Sequence, residues 1–262
     1  MQIVGLILGI LIGVSLGLIG SGGSILTIPI LVYLVNISPS NATTYSLFIV
    51  GISAFVGSLK GVKDKLLDFK TALYFGLPSV VSVFIMRKFL VPLLPTVLFE
   101  FAGISILKDF FIMFVFALLM IFASLSMIKK KTTIENANSK ISLTKIILNG
   151  FFIGAITGFV GVGGGFLIIP TLLFSAKLPM KKAVATSLII IAFNSLIGFA
   201  GSVGGTQIEW IFLLQFTSFS VVGIFVGMLL SKKISNEKLK PAFGWFVMIT
   251  GIYVIIKELF IK

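Results

Sequence analysis

The sequence has no cysteine and no histidine among its 262 residues. Without cysteine the chain has no disulfide bonds and no thiolate nucleophile, and without either residue it lacks the usual ligands of zinc sites. Histidine is also the side chain that most often exchanges protons near neutral pH. We therefore expect no enzymatic activity, no metal and no cofactor.

Charged residues are also scarce, at 11% of the chain, whereas soluble domains carry roughly a quarter. Apolar residues make up 58% of the sequence, and its mean hydropathy is +1.19. Four runs contain no Asp, Glu, Lys or Arg: 1–59, 146–176, 183–208 and 210–231. Since about 20 apolar residues cross a bilayer as a helix, these runs predict a multi-pass protein in contact with lipid. No basic segment precedes the first run, so we expect it to belong to the mature protein.

The formal net charge is +13, from 21 basic and 8 acidic residues. In a soluble protein such an excess would indicate nucleic-acid binding. Here the lysines lie in short tracts between the apolar runs, as in loops that face the anionic cytoplasmic side of a membrane. We therefore expect no nucleic-acid partner.

The sequence aligns with itself without gaps at an offset of 141 residues. GVSLGLIGSGGSILTIP (13–29) lies over GAITGFVGVGGGFLIIP (154–170), and eight of these 17 positions are identical. The same register continues from 42–57 over 183–198. The chain is therefore predicted to contain two copies of one unit, residues 1–128 and 144–262, joined by a polar cytoplasmic linker at 129–143.

Each copy consists of an apolar segment, a glycine-rich break, a short apolar segment and three longer ones. The short segments, 25–35 and 166–176, would each extend about 16 Å as a helix, which is too short for a bilayer core of about 30 Å. Each is better interpreted as the returning limb of a broken hairpin. We therefore predict an all-α integral membrane protein of two repeats, each with a glycine-rich re-entrant hairpin and three transmembrane helices.

The lysines indicate which loops share one side of the membrane, because cytoplasmic loops are enriched in basic residues. Segments 60–70, 129–145, 177–182 and 232–240 would lie inside, and 88–104 and 201–208 outside. The first hairpin would then enter from outside and the second from inside, so the two copies would be inverted. Arg87, Lys88, Lys257 and Lys262 fall on the side that the rule disfavours. Inverted repeats with broken helices are typical of secondary transporters, which bind substrate near the membrane midplane.

The glycine-rich tips, GSGGS (20–24) and GVGGG (161–165), need polar partners in a membrane, because unsatisfied backbone groups in lipid are costly. Adjacent glycines permit close approach of a ligand, and the following short helix adds N–H donors and a positive dipole end. This combination suits a small oxyanion. The candidate binding residues at the tips are Ser21, Gly22, Gly23, Ser24, Gly163, Gly164 and Gly165.

The glycines before each tip are spaced by four and three residues, a pattern that favours close helix packing over ligand contact. They are Gly13, Gly17, Gly20, Gly154, Gly158 and Gly161.

Polar side chains inside the apolar segments supply further candidates: Thr44, Ser46, Thr186, Ser187 and Asn194. Ser46 and Ser187 occupy equivalent positions in the two copies. Each hydroxyl could contact a ligand or bond a carbonyl one turn back in its own helix, and the sequence leaves both open. Asn194 is harder to satisfy within one helix, which favours a partner or a ligand.

The residues of the second copy resemble the TauE/SafE sulfite exporter family of membrane permeases. The similar pattern is a G-x-x-x-G-x-x-G-x-G-G-G segment (154–165) that leads to Pro170 and is followed by AVATSL (183–188). In the first copy Ser24 replaces the third tip glycine and Thr44-Tyr45-Ser46 replaces Ala-Thr-Ser. The resemblance implies export of small sulfur-containing anions, such as sulfite or organosulfonates, across the cytoplasmic (inner) membrane.

Together these features predict a secondary transporter that alternates access to a midplane site formed by the two glycine tips. Its expected partners are a small inorganic or organic sulfur anion and the lipid bilayer, and the sequence leaves a homodimer open. A passive small-anion channel is the alternative, because similar selectivity chemistry can serve a pore without alternating states.

Overall fold

The computed structural model describes residues 2–20, 22–101, 104–128, 142–205, 208–231 and 236–260. The first half contains α1 (Gln2–Ile19), α2 (Gly22–Pro29), α3 (Pro39–Lys63), α4 (Phe69–Ile85), α5 (Val91–Leu93) and α6 (Lys108–Ile128). The second half contains α7 (Leu143–Val160), α8 (Gly165–Ser175), α9 (Met180–Ser202), α10 (Trp210–Ser231) and α11 (Asn236–Phe260). A π-helical turn at Ile30–Leu34 extends α2, and another at Met86–Leu90 joins α4 to α5.

The described chain departs from the all-helical prediction at one antiparallel hairpin of β1 (Val97–Phe101) and β2 (Ile104–Leu107). Pro92 and Pro95 precede it and disfavour continuation of the helix. The strands VLFEF and ISIL are rich in aromatic and β-branched residues, which suit extended backbone. The rest of the described chain is helical or in short connections.

Six helices in the described residues are long and apolar enough to cross a membrane: α3, α4 continued to Leu93, Lys108–Leu125 of α6, α7, α9 and α10. Large apolar side chains are exposed on these helices, for example Phe69, Phe122 and Ile211. Exposed apolar surface of this kind is expected where lipid is the solvent. The described chain therefore has the build of a multi-pass membrane protein.

At each glycine cluster the structure has two contacting helices, which form a helical hairpin. α1 ends at Ile19 and α2 packs back on it, while α7 ends at Val160 and α8 packs back on it. The helical structure is interrupted at Gly20 and at residues 161–164, within the glycine clusters identified in the sequence. Gly20, Gly161, Gly163 and Gly164 have φ values between +68° and +82°, a conformation that side chains other than glycine rarely adopt.

The first helix of each hairpin packs mainly on the opposite half of the chain. α1 lies against α10 of the second half, and α7 lies against α4 of the first half. α3 packs on α9, and α6 packs on α11. α1, α3 and α4 align at the 141-residue offset with α7, α9 and α10, and α6 and α11 are each the last helix of their half. Exchanging the two halves therefore leaves this pattern of contacts unchanged.

Glycines bring these helices into backbone contact. A methyl group added at Gly13 or Gly17 would overlap the carbonyl of Ser220 or Ile224 on α10. A methyl group added at Gly154 or Gly150 would overlap the carbonyl of Ser79 or Phe75 on α4 in the same way. The sequence prediction that glycines at this spacing serve helix packing is therefore confirmed for Gly13, Gly17, Gly154 and Gly158. Gly20 and Gly161 instead lie at the breaks with positive φ.

α3 and α9 form the centre of the molecule and are the most buried of the six candidate spanning helices. The Ser53 hydroxyl on α3 donates to the Ser220 hydroxyl on α10 at 2.9 Å. The Asn194 amide on α9 donates to the Ser79 hydroxyl on α4 at 2.7 Å. Both residue pairs match at the 141-residue offset, so equivalent polar bonds tie the central helices to both halves.

Replacing Gly13 or Gly154 by alanine should destabilise the protein, because the added methyl group meets a backbone carbonyl that cannot move without shifting a helix. Overpacking of this kind costs about 1–3 kcal/mol. We expect the unfolding midpoint in detergent, measured by scanning fluorimetry, to fall by several degrees for each variant. Gly204→Ala is the matched control, because nothing lies within 4 Å of its added methyl group. A Gly13→Ala midpoint equal to that of Gly204→Ala would contradict the packing.

Candidate functional site

The second glycine tip lies against the middle of the two central helices. A methyl group placed on Gly163 would lie 3.3 Å from Val50 of α3 and 3.5 Å from Ile191 of α9, and both residues are near the midpoints of their helices. The same methyl group would overlap the Ser195 hydroxyl. α8 begins two residues later, at Gly165, so its first N–H groups lie beside this point and have no partner within their own helix.

One face of α3 follows this tip. A methyl group on Gly161 would overlap Thr43, and Gly163 faces Val50, two positions seven residues apart on α3. Ser46 lies between them at helical spacing, three residues after Thr43 and four before Val50, and therefore on the same face. Its hydroxyl is completely buried and has no hydrogen-bond partner.

Among the described residues, three buried side-chain atoms lack a hydrogen bond: Ser46 Oγ, Ser195 Oγ and Asn194 Oδ1. Each belongs to a residue with 0% exposure. Leaving a buried polar group unpaired costs about 1–3 kcal/mol. Unpaired polar groups in the centre of a protein therefore need an explanation, and the usual one is a ligand or water that completes their hydrogen bonds.

Ser195 and Asn194 are neighbours in sequence but point toward different elements. Ser195 faces the second tip, whereas the Asn194 amide reaches Ser79 on α4. The Ser79 hydroxyl can donate or accept a hydrogen bond. The Asn194 amide can therefore bond Ser79 through its oxygen or its NH₂ group, and the other group is left for a further partner. Ser46 and Ser195 are thus brought to the tip, and Asn194 belongs to the adjoining contact with α4.

Arg87 is a functional candidate that the sequence analysis missed. It is 3% exposed and lies in the π-helical turn at Met86–Leu90. Its guanidinium donates from Nε to the Gly158 carbonyl, from Nη1 to the Thr43 hydroxyl at 3.1 Å and from Nη2 to the Phe159 carbonyl at 3.5 Å. A methyl group on Gly161 would overlap it, which places this positive charge at the second tip.

A signal for Arg87 was present in the sequence. It is the single arginine among the 21 basic residues and lies within an apolar stretch. The lysine pattern treated it only as a charge on the disfavoured side. An ionisable residue inside a membrane segment is itself evidence for a functional site.

Several predicted site residues have other partners in the structure. The Thr186 hydroxyl accepts the Asp68 N–H at 3.0 Å at the start of α4, and the Ser187 hydroxyl donates to the Val184 carbonyl at 2.9 Å within α9. The Thr44 hydroxyl donates to the Ser40 carbonyl at 3.3 Å. Of the two outcomes left open for the equivalent serines, back-bonding therefore applies to Ser187, and Ser46 has no partner.

The first tip is placed differently from the second. Gly22 begins α2, and a methyl group on Gly23 would overlap the Ile12 carbonyl, so Gly23 packs on α1. Ser24 is fully buried in the first turn of α2. Ser21 lies outside the described residues, as does most of the predicted linker. At the second tip, Gly164 and Gly165 form the start of α8.

A cleft of about 730 Å³ lies where the start of α3, the start of α6 and the end of α11 meet. The Ser40 hydroxyl donates to Asp109 and the Tyr33 hydroxyl donates to Glu258 at 2.9 Å, and all four residues line this cleft. The Ser40 carbonyl accepts the Thr43 hydroxyl at 2.8 Å. A hydrogen-bonded path therefore connects the cleft to Arg87.

A family model described as "Sulfite exporter TauE/SafE" matches residues 5–254. The chain belongs to the TauE/SafE family. Three similar proteins carry the name "Probable membrane transporter protein": one from Xylella fastidiosa (strain Temecula1) is 28% identical over 94% of this chain and 92% of its own length. MJ0441 from Methanocaldococcus jannaschii is 27% identical over 96% and 94%, and YunE from Bacillus subtilis is 24% identical over 97% and 97%.

No solved structure matches the chain. The family match and the similar proteins identify this TauE/SafE member as a membrane transporter. The site of such a protein holds its cargo by reversible contacts. Among the described residues, no three His, Cys, Asp or Glu side chains lie close enough together to hold a metal ion.

In this TauE/SafE protein, removing the unpartnered hydroxyl by Ser195→Ala should leave the free protein as stable as before or more stable by about 1 kcal/mol, because an unsatisfied buried group disappears. Ser53→Ala is the matched control and should lower stability, since Ser220 loses its partner. Thermal unfolding without added anion measures both. An equal loss of stability in the two variants would show that the Ser195 hydroxyl has a partner in the free protein.

Proposed function

We propose that this TauE/SafE protein is a secondary transporter that exports small sulfur-containing anions, such as sulfite or organosulfonates, without converting them chemically. The proposal rests mainly on the unpartnered hydroxyls of Ser46 and Ser195 beside the glycine tip at 161–165. These donors lie near the middle of α3 and α9, which is where transporters of broken-helix architecture bind substrate.

The chemistry of this site favours a compact oxyanion. Hydroxyl groups and the first N–H groups of α8 are hydrogen-bond donors, and the start of a helix carries the positive end of its dipole. The described tip residues bring no carboxylate that would repel an anion. Sulfite and sulfonate groups present several acceptor oxygens within a small volume, which matches such a cluster of donors.

We further propose that the two halves are inverted repeats that move against each other, in units of residues 1–128 and 144–262 joined by a cytoplasmic linker at 129–143. Two observations support this arrangement: the contacts are exchanged between the halves, and equivalent glycines line both contacts. Rocking of one half against the other would expose the tip alternately to the two sides of the inner membrane.

The cleft beside Ser40 is the proposed entrance on one side. Pro92 and Thr96 line it, and the lysine pattern assigns residues 88–104 to the outside. The path from Ser40 through Thr43 to Arg87 then leads from the outer face to the second tip.

Flux measurements test the transport proposal. In proteoliposomes loaded with unlabelled sulfite, external radiolabelled sulfite should show saturable counterflow. Ser46→Ala should slow its initial rate at least tenfold, since a hydrogen bond to a charged group contributes about 1.5–3 kcal/mol. Ser58→Ala, on the same helix with its hydroxyl bonded to the Phe55 carbonyl, should leave the rate unchanged.

The same preparation separates the alternatives. A sulfite conductance that does not saturate would establish the passive channel instead of the transporter. Absence of both counterflow and conductance for sulfite and for methanesulfonate would reject sulfur anions as the cargo. Equal rates for Ser46→Ala and Ser58→Ala would remove Ser46 from the site.

The natural lack of cysteine allows a direct test of the entrance. A single Ser40→Cys variant should react with a membrane-impermeant maleimide applied from outside, because Ser40 lines the cleft. Ser58→Cys should remain unlabelled, since Ser58 is completely buried. Labelling of Ser40→Cys from the inside alone would reverse the proposed orientation.

A further inference from the structure

The two glycine tips occupy equivalent places but have chemically different surroundings. Beside the first tip, a methyl group on Gly20 would overlap the side chain of Val184. Beside the second, a methyl group on Gly161 would overlap Thr43 and Arg87. Thr43 and Val184 are equivalent at the 141-residue offset, so one position is polar at one tip and apolar at the other.

Two more pairs show the same difference. Arg87 corresponds in sequence to Met228, and Ser195 corresponds to Ala54. All four residues are buried, at 9% exposure or less. Thr43, Arg87 and Ser195 at the second tip therefore each have an apolar counterpart in the other half, whereas the counterpart of Ser46 is Ser187.

Arg87 has donor capacity left at the second tip. A guanidinium has five N–H groups, and three of them bond Gly158, Thr43 and Phe159. Among the described residues, no Asp or Glu side chain forms an ion pair with Arg87. A buried charge without a counter-charge is strongly disfavoured, so the site calls for an anion.

The hydrogen bonds of Arg87 orient its guanidinium but do not neutralise its positive charge. Gly158 and Phe159 lie in the last turn of α7, whose end carries the equivalent of roughly half a negative elementary charge. The positive end of α8 lies on the other side of the tip and offsets this contribution. Among the contacts of Gly161 and Gly163, Arg87 therefore supplies the one formal charge.

We propose that the protein binds one anion per chain, at the second tip only, with Arg87 as its counter-charge and the Ser195 hydroxyl and the start of α8 as its donors. Thr43 is a positioning residue, because it holds the guanidinium through its hydroxyl. The unpartnered Ser195 Oγ, fully buried and directed at Gly163, is the observation that points to a ligand at this tip. The first tip carries no anion and serves helix packing.

A single positive charge selects for the charge of the ligand. A monoanion such as a simple sulfonate or hydrogen sulfite would be neutralised by Arg87, whereas a dianion such as sulfate would bring an uncompensated charge into a buried site. The inference rests on the proposed transport of sulfur anions and narrows it to monovalent oxyanions.

Calorimetric titration of the purified protein in detergent tests this assignment. Methanesulfonate should bind with a stoichiometry of one per chain and at least tenfold more tightly than sulfate at equal ionic strength. Arg87→Met, which installs the residue of the equivalent position, should weaken methanesulfonate binding at least tenfold. Arg87→Lys should recover part of that loss, because it keeps the charge but not the planar donor geometry.

Two further variants keep the test decisive if Arg87→Met does not fold. Ser195→Ala removes a hydroxyl that has no protein partner and should weaken binding several-fold without loss of stability. Thr43→Val should weaken binding, whereas the matched exchange at the first tip, Val184→Thr, should leave the Kd unchanged.

Several outcomes would overturn the inference: two anions per chain, sulfate bound as tightly as methanesulfonate, or unchanged binding in folded Arg87→Met and Ser195→Ala. If sulfite counterflow persists in those cases, the proposed transport function stands and only the assignment to one tip fails. If the unaltered protein neither binds nor moves any sulfur anion, both proposals fail.

Discussion

The structure depends on the direct contact of helix backbones along two lines of glycine. α1 approaches α10, and α7 approaches α4, so closely that a methyl group at Gly13 or Gly154 would overlap a carbonyl of the partner helix. Helix association inside a bilayer relies on such close van der Waals packing, because lipid is as apolar as the side chains. These contacts position both hairpins, and through them the glycine tips that lie beside the central helices.

The centre of the molecule combines this close packing with incomplete hydrogen bonding. Most described buried hydroxyls bond a carbonyl of their own helix or a serine of a neighbour, as Ser53 does with Ser220. Ser46 and Ser195 have no such partner. Ser195 faces the second tip, and Ser46 lies on the face of α3 that follows this tip. Arg87 adds a buried charge at the same place. The buried polar groups without hydrogen-bond partners are thus confined to one region, as expected where a protein gives up stability for binding.

The sequence predicted the architecture better than the details of the site. Helical runs, glycine breaks and packing glycines follow from composition and spacing, and the structure has them. The hairpin of β1 and β2 was not predicted, because short apolar runs do not distinguish strand from helix. Ser46 and Ser187 are equivalent in sequence, yet only Ser187 bonds its own helix, a choice that side-chain rotation and neighbours decide. Arg87 was not predicted as a site residue, because counting the charges in loops does not reveal which charged side chains are buried.

The exchange of hairpins between halves also bears on how the protein is made. The main partner of α1 is α10, which begins about 190 residues after α1 ends. A ribosome adds about 5–20 residues per second, so α1 stays in the membrane for many seconds before that partner is synthesised. During this time the glycines of α1 lack the helix on which they pack. In contrast, α4 is already inserted when α7 is synthesised. Assembly of the second hairpin can therefore precede that of the first, in reverse of the order of synthesis.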